Sequence, residues 1–317
     1  MNQNAAANVK FIKKPAARKH IFICLMLLYP MFNFVVFYLL VNFNTILLAF
    51  QKTDANFNTV WVGFDNFVNV YNNLVATGLI WTYTKNSLIF FVIPFIIEFP
   101  LILCFAYMFM LKFRGYKILR FCLMLSSMIS GLVTAMLFSK FADYVLPDVF
   151  EKLFGVETIS ILRDDRFNLQ LLLFFNVITA FGANVILYTN AMNSVDISIY
   201  EAARMDGAVN LQILTKITIP MSYPTIMTFV VTSVSMIFTA DVSNYLFYDF
   251  NAPVNTTTVG YYLFYLSKSE FADYNMASVL SIVFTLITFP IVMLVRWGLE
   301  KADPMSDRAE VAKCKAK

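Results

Sequence analysis

Apolar residues in this chain come in long runs, each bounded by a shorter polar stretch. Six runs are resolved: His20 to about Phe50, and then about Asn86–Leu111, Phe121–Phe138, Leu169–Met192, Pro220–Phe247 and Met276–Trp297. Each meets or comes close to the ~20 apolar residues that a helix needs to cross hydrocarbon. The pattern predicts an all-α integral membrane protein with six transmembrane helices. The polar stretches at 51–83, 139–167 and 248–275 read as loops on one side of the membrane. Trp61 and Trp81 suit the interface, and Trp61–Phe67 reads as a structured turn. A short surface helix is expected within 139–167.

Composition agrees. Hydrophobic residues make up 59% of the 317 positions and charged residues only 14%, against about 25% charged in a soluble domain. Charge then orients the spans. Residues 1–19 carry Lys10, Lys13, Lys14, Arg18 and Lys19; the 112–120 loop carries Lys112, Arg114, Lys117 and Arg120; the tail from Glu300 carries Lys301, Arg308, Lys313, Lys315 and Lys317. With six spans all three clusters fall on the same side, which the positive-inside rule makes cytoplasmic. A basic cytoplasmic tail (1–19), a membrane domain (20–299) and a second cytoplasmic tail (300–317) follow, in a multi-pass protein with both termini inside. A signal peptide is disfavoured, because the first apolar run far exceeds a 7–15-residue core and no small-residue cleavage site follows it. A net charge of +4 is modest and is no nucleic-acid footprint.

Between the fourth and fifth spans, about 193–219, lies a polar sentence on the cytoplasmic side. It runs Tyr200-Glu-Ala-Ala-Arg-Met-Asp-Gly-Ala208 and on to Ile217-Thr-Ile-Pro220. It reads as a short helix with Glu201 near its start, where the helix dipole favours a carboxylate. Ala202 and Ala203 give a small face that another surface can approach. Gly207 can take the left-handed conformation that stops a helix, and Pro220 suits the first turn of the next. Nothing in the chain offers catalysis. His20 is alone, the cysteines (Cys24, Cys104, Cys122, Cys314) show no paired spacing, and no G-x-x-x-x-G-K-[ST] loop is present to cradle nucleotide phosphates.

Glu201-Ala202-Ala203, Asp206-Gly207-Ala208 and Lys216–Pro220 with Pro224 resemble the EAA signature of ABC importer permeases, in their carbohydrate-uptake branch. Trp61–Phe67 looks like an outer-loop segment of these permeases, Phe113-Arg114-Gly115 like their second cytoplasmic loop, and Asp273–Ser281 like the run into their last helix. The order of segments is similar to the maltose- or glycerol-phosphate-type first permease subunit. The resemblance covers about residues 20–304. It implies a type I importer in a bacterial plasma membrane. In such an importer two permease subunits, here a heterodimer, form the pore for a saccharide. Two cytosolic ATPase subunits bind ATP and Mg, so no cofactor belongs to this chain, and an external solute-binding protein delivers the substrate. Glu201, with Ala202, Ala203, Asp206 and Gly207, inherits the ATPase-docking role by position, which makes the 193–219 segment the coupling helix between helices 4 and 5.

Polar groups within the spans mark pathways or helix contacts. In span five Asp241, Ser243 and Asn244 are expected in the outer half, with Asp241 and Asn244 on one helix face. Together with Phe238 and Tyr245 they suit a hydroxyl-rich solute. Asn184 in span four lies beside Gly182, which permits close approach, and is either a pore residue or a helix–helix hydrogen bond. Glu98, between Pro94 and Pro100, is the most anomalous charge. It bonds to backbone freed by the prolines, bonds across helices, or faces a cavity, and the sequence leaves all three open. An ion-coupled secondary transporter is the alternative function. It would normally show repeats and a relay of intramembrane ionisable groups, and here only Glu98 and Asp241 could serve.

Overall fold

The computed structural model describes residues 15–53, 59–155, 162–239, 243–269 and 273–304. Two compact units divide the chain: Met1–Val70 with Tyr274–Ile282, and Tyr71–Asp273 with Val283–Lys317.

In the first unit, α1 (Pro15–Asn33) runs through a π-helical stretch, Phe34–Leu40, into α2 (Val41–Ala49). Large apolar side chains from Phe22 to Phe43 stand exposed along it, as lipid-facing residues must. Two of its asparagines turn back on their own helix. Asn33 Nδ2 donates to the Tyr29 carbonyl (3.1 Å) and Asn42 Nδ2 to that of Tyr38 (2.6 Å), which gives one donor of each amide a partner within the helix. A two-stranded antiparallel ribbon follows, β1 (Gln51–Thr53) on β2 (Thr59–Trp61), with Lys52 opposite Val60. It leads to α3 (Asp65–Val70). The turn expected at Trp61–Phe67 is indeed structured. Phe50 stacks on Trp61 at 5.8 Å and meets Phe64 and Phe67 at 5.4 Å, while buried Asn66 donates to the carbonyls of Ala49 (3.0 Å) and Gln51 (2.8 Å).

The second unit is built on α4 (Leu79–Met110) and α8 (Asn168–Met192), which make the most extensive helix pair in the chain. At 1.5 Å per residue the 32 residues of α4 extend ~48 Å, ample for a membrane. Pro94 and Pro100 sit inside it, and each lacks the N–H that would bond the carbonyl four residues back.

Between them come α5 (Tyr116–Met128), α6 (Gly131–Lys140) and α7 (Leu146–Phe154). The third predicted span is therefore not one helix. Ile129 and Ser130 leave the helical region (ψ 135° and 133°), and the Ser130 carbonyl starts α6 by accepting from Thr134 N–H at 3.0 Å. Ser-Gly in mid-run was the local cue. The 13 residues of α5 rise only ~20 Å, short of the hydrocarbon thickness. The surface helix expected in 139–167 does form, as α7.

After α8 come α9 (Ile197–Met205) and a continuous helical run of α10 (Asn210–Ile213), a π turn (Leu214–Thr218) and α11 (Ile219–Ser235). Pro220 thus lies inside a helix already under way. The fifth span starts ten residues earlier than expected, and it stops at Ser235, well before Phe247. Its end is weakened by hydroxyls that bond their own backbone. Thr232 Oγ1 donates to the Thr228 carbonyl (2.8 Å), Ser233 Oγ to that of Phe229 (3.0 Å) and Ser235 Oγ to that of Thr232 (2.6 Å).

The chain closes with α12 (Ser243–Tyr248), α13 (Val259–Lys268) and α14 (Tyr274–Lys301). Among the described residues five helices are long and apolar enough to cross a membrane: Phe22–Ala49, Leu79–Met110, Asn168–Met192, Asn210–Ser235 and Tyr274–Lys301. The broken α5–α6 pair occupies the place of the remaining predicted span.

Candidate functional site

Two places in the second unit gather the residues singled out by sequence. The first is α9. Its cap is Asp196, whose carboxylate accepts from Ser198 N–H at 3.0 Å. That bond favours the charged form and holds the Asp196 carboxyl below its ordinary value. Glu201 consequently falls in mid-helix, one turn beyond the dipole-favoured position assigned to it, because the helix begins four residues earlier. Gly207 ends α9 as expected. Its φ is +81°, Gly207 N–H donates to the Arg204 carbonyl and Ala208 N–H to that of Ala203, both at 3.0 Å. This is the paired bond pattern of a Schellman stop.

The faces of α9 differ. Glu201, Ala202, Asp206 and Gly207 are exposed, while Tyr200 and Ala203 are buried. The buried pair enters one hydrophobic cluster with Ile102, Tyr107 and Phe109 of α4, Val185, Tyr188 and Met192 of α8, Ile213 and Leu214 of the next helical run, and Ile226 of α11. Burial pushes the Tyr200 phenol above its usual range, and its hydroxyl donates to the Met192 carbonyl at 3.5 Å. The small face predicted from Ala202-Ala203 is thus split, with one methyl outward and one inward.

The second place is an open cavity of about 310 Å³ lined by α4, α8, the end of α11 and the start of α13. From α4 it is lined by Ser87, Phe90, Phe91, Pro94, Phe95, Glu98, Phe99 and Ile102, from α8 by Asn176, Thr179, Ala180 and Asn184, and from the other walls by Ser233, Met236, Ile237, Phe238, Thr258 and Gly260. Helical spacing makes the α4 wall. Phe91, Phe95 and Phe99, four residues apart, stack with ring centroids 5.5 and 5.3 Å apart and nearly parallel planes. Glu98, 7% exposed, lies beside this ladder, and Asn184 of α8 lines the same cavity. Among the described lining residues Glu98 is the one ionisable group. Asn176 Nδ2 donates to Ser243 Oγ (3.3 Å).

The span-five candidates divide. Asp241 lies outside the described residues, so its pairing with Asn244 on one face has no structural description. Ser243 is buried and receives the Asn176 bond. Asn244 is fully buried and its Nδ2 donates to the Thr256 carbonyl at 2.8 Å, which fastens the 249–258 loop. Neither Ser243 nor Asn244 lines the cavity, whereas Asn184 does. Neighbouring bonds fasten the same loop. Asn86 Nδ2 donates to the carbonyls of Val254 (3.1 Å) and Thr257 (2.8 Å), and Val259 N–H donates to Ser87 Oγ (2.9 Å). Sequence reading passed over Asn176, Thr179 and the phenylalanine ladder. Only the ladder's four-residue spacing could have drawn attention to it, and 34 phenylalanines obscured it.

Residues 98–305 match the family described as "Binding-protein-dependent transport system inner membrane component". The chain is 25% identical over 272 residues to the arabinooligosaccharides transport system permease protein AraP of Halalkalibacterium halodurans, covering 82% of this chain and 81% of that one. It is 30% identical over 236 residues to the lactose transport system permease protein LacF of Rhizobium radiobacter, covering 71% and 76%. The fold is similar to that of a chain in a bacterial ABC transporter involved in the import of the acidic polysaccharide alginate. The TM-score is 0.74 at 21% identity, over 90% of this chain and 96% of the other. A bacterial alginate ABC transporter in complex with an alginate pentasaccharide-bound periplasmic protein gives a TM-score of 0.70 at 21% identity, over 88% and 93%.

Proposed function

This chain belongs to the family of binding-protein-dependent transport system inner membrane components, and on that footing we propose that it forms half of the translocation pathway of an ATP-driven saccharide importer. The observation that carries the saccharide reading is the cavity. Its stacked phenyl faces suit the flat apolar side of a sugar ring, and its amides, hydroxyls and carboxyl suit the hydroxyl rim. The named substrates of AraP and LacF point to an oligosaccharide.

Energy reaches the cavity through α9. Its exposed face, with Glu201, Ala202, Asp206 and Gly207, docks a cytosolic ATPase subunit, and its buried Tyr200 and Ala203 key it to the helices that wall the cavity. A short helix seated this way passes on rigid-body motion, which a loose loop would absorb. ATP and Mg are held by that partner, since this chain has no phosphate-cradling loop. A second permease subunit completes the pore, an external binding protein delivers the sugar, and both termini face the cytosol.

The test is uptake of labelled arabinooligosaccharide and lactose into proteoliposomes holding the complete importer and its binding protein. Uptake should require internal ATP, and Glu201→Lys should abolish it while the chain still inserts and elutes intact. Uptake driven by an ion gradient without ATP would instead establish the secondary transporter.

A further inference from the structure

We propose that the turn between α4 and α5 binds the headgroup of an anionic phospholipid, with an acyl chain of that lipid lying along one face of α5. The turn and the start of α5 carry Lys112, Arg114, Lys117 and Arg120 within nine residues, and no Asp or Glu occurs between Glu98 and Asp143. Lys112, Arg114 and Lys117 are exposed. The ion pairs among the described residues are Asp164–Arg166 and Arg296–Glu300, so these three cations have no acidic partner there. Arg120 is engaged by α8 instead, its Nη2 donating to Asn190 Oδ1 at 3.5 Å.

The turn has a fixed shape. Two left-handed residues bracket it, Lys112 at φ +50° and Gly115 at +89°. Phe113 and Tyr116 pack against the cluster that buries Tyr200 and Ala203. Packed rings thus alternate with exposed cations, and a site ordered beforehand binds at a lower entropic cost.

The adjoining helix supplies the rest of a lipid-shaped surface. Ile118, Phe121, Leu125 and Met128 recur at three- and four-residue spacing, which puts them on one face of α5. All four are exposed, Ile118 at 72% and Met128 at 75%. From Ile118 to Met128 the helix rises ~15 Å. That is half of the ~30 Å hydrocarbon core, the depth of one leaflet. The cations stand at one end of this stripe, where the headgroup of a lipid aligned with it would lie. An arginine forks onto two phosphate oxygens, and a lysine adds a point charge. A zwitterionic headgroup brings its own ammonium beside the phosphate and gains less from cations with no acid among them. The site therefore favours a headgroup of net negative charge, such as phosphatidylglycerol.

The experiment uses the complete importer in phosphatidylcholine nanodiscs doped with a photoreactive phosphatidylglycerol or, separately, with a photoreactive phosphatidylcholine of the same chains. Crosslinked peptides are mapped by mass spectrometry. Labelling of α5 should be at least about tenfold greater with the phosphatidylglycerol, since each cation near the surface contributes about fivefold. Replacing Lys112, Arg114 and Lys117 together by Gln should bring the two probes to within about twofold of each other. Arg114→Lys with Lys117→Arg, which keeps the charge, should preserve the preference. Equal labelling of the intact importer by the two probes overturns the proposal, and so does a ratio unmoved by the triple Gln variant. Displacement of the phosphatidylglycerol by inorganic phosphate at matched ionic strength would assign the cations to a soluble anion and overturn it too. Labelling that emerges only once the ATPase subunits are stripped away would give the turn to the ATPase instead of the lipid.

Discussion

A Cβ on Gly182 would lie 2.8 Å from the carbonyl oxygen of Leu123, so α8 and α5 meet backbone to backbone at this point. Small residues serve membrane helix pairs in this way, since dispersion and close approach replace the hydrophobic drive that lipid cannot supply. Gly182→Ala must push the helices apart, and overpacking of this kind costs about 1–3 kcal/mol. The melting temperature of the purified protein in detergent should fall. An unchanged melt would mean that α5 yields freely.

The two alanines of α9 should respond in opposite ways. Ala203 is buried in the cluster, so Ala203→Leu should destabilise by about 1–3 kcal/mol. Ala202 is exposed, and Ala202→Leu should shift stability by no more than about 0.5 kcal/mol while blocking recovery of the ATPase in a pull-down. Thermal melts run beside pull-downs separate the two effects. If Ala202→Leu retains the ATPase, the docking face is elsewhere.

For Asn244→Ala, uptake should fall together with stability. Its amide holds the Thr256 carbonyl in a fully buried setting, and leaving that acceptor without its donor costs about 1–3 kcal/mol. Asn184→Ala should instead weaken sugar affinity with a small change in melting, since Asn184 lines the cavity. A loss of uptake in Asn244→Ala at an unchanged melting temperature would mark Asn244 as a ligand contact.

Asp164 provides the pH prediction. The Arg166 guanidinium and backbone N–H bond its carboxylate, with Nε and N both 3.0 Å from Oδ1, and hold its pKa down to about 2. A carboxyl lowered on folding contributes stability that is fully present above its unfolded value, 3.8, and is lost as pH falls through about 2. From pH 5 upward this pair should therefore leave no pH dependence. Arg166→Ala should move the carboxyl back toward the ordinary range, though only partly, because the backbone N–H remains. A site-specific NMR titration reads the shift, and an unmoved value in the variant would contradict the pairing.

Apolar content alone made much of this architecture readable. The fourth span was expected at about Leu169–Met192 and is Asn168–Met192, because a run with no proline and no Ser-Gly pair inside it has little competing local structure. Where hydroxyl and small residues interrupt a run, composition misleads. Ser130-Gly131 splits the third span, and the hydroxyls from Thr232 to Ser235 end the fifth early by bonding their own turns. Glu201 was placed too near the helix start because Asp196, the residue that caps it, was not weighed as a cap. The Tyr200–Ala208 segment was legible as consecutive positions. The cavity was not, since Glu98 and Asn184 are 86 positions apart and only tertiary packing joins them.

The cluster that buries Tyr200 and Ala203 also has a kinetic meaning. A loop tethered only at its ends opens by itself, and its amides exchange with solvent at little free-energy cost. Here α9 cannot open without disturbing Tyr107, Met192 and Ile213, which belong to three other helical segments. Its inward amides should therefore share the protection of the ends of α4 and α8 and exchange with them as a single cooperative unit.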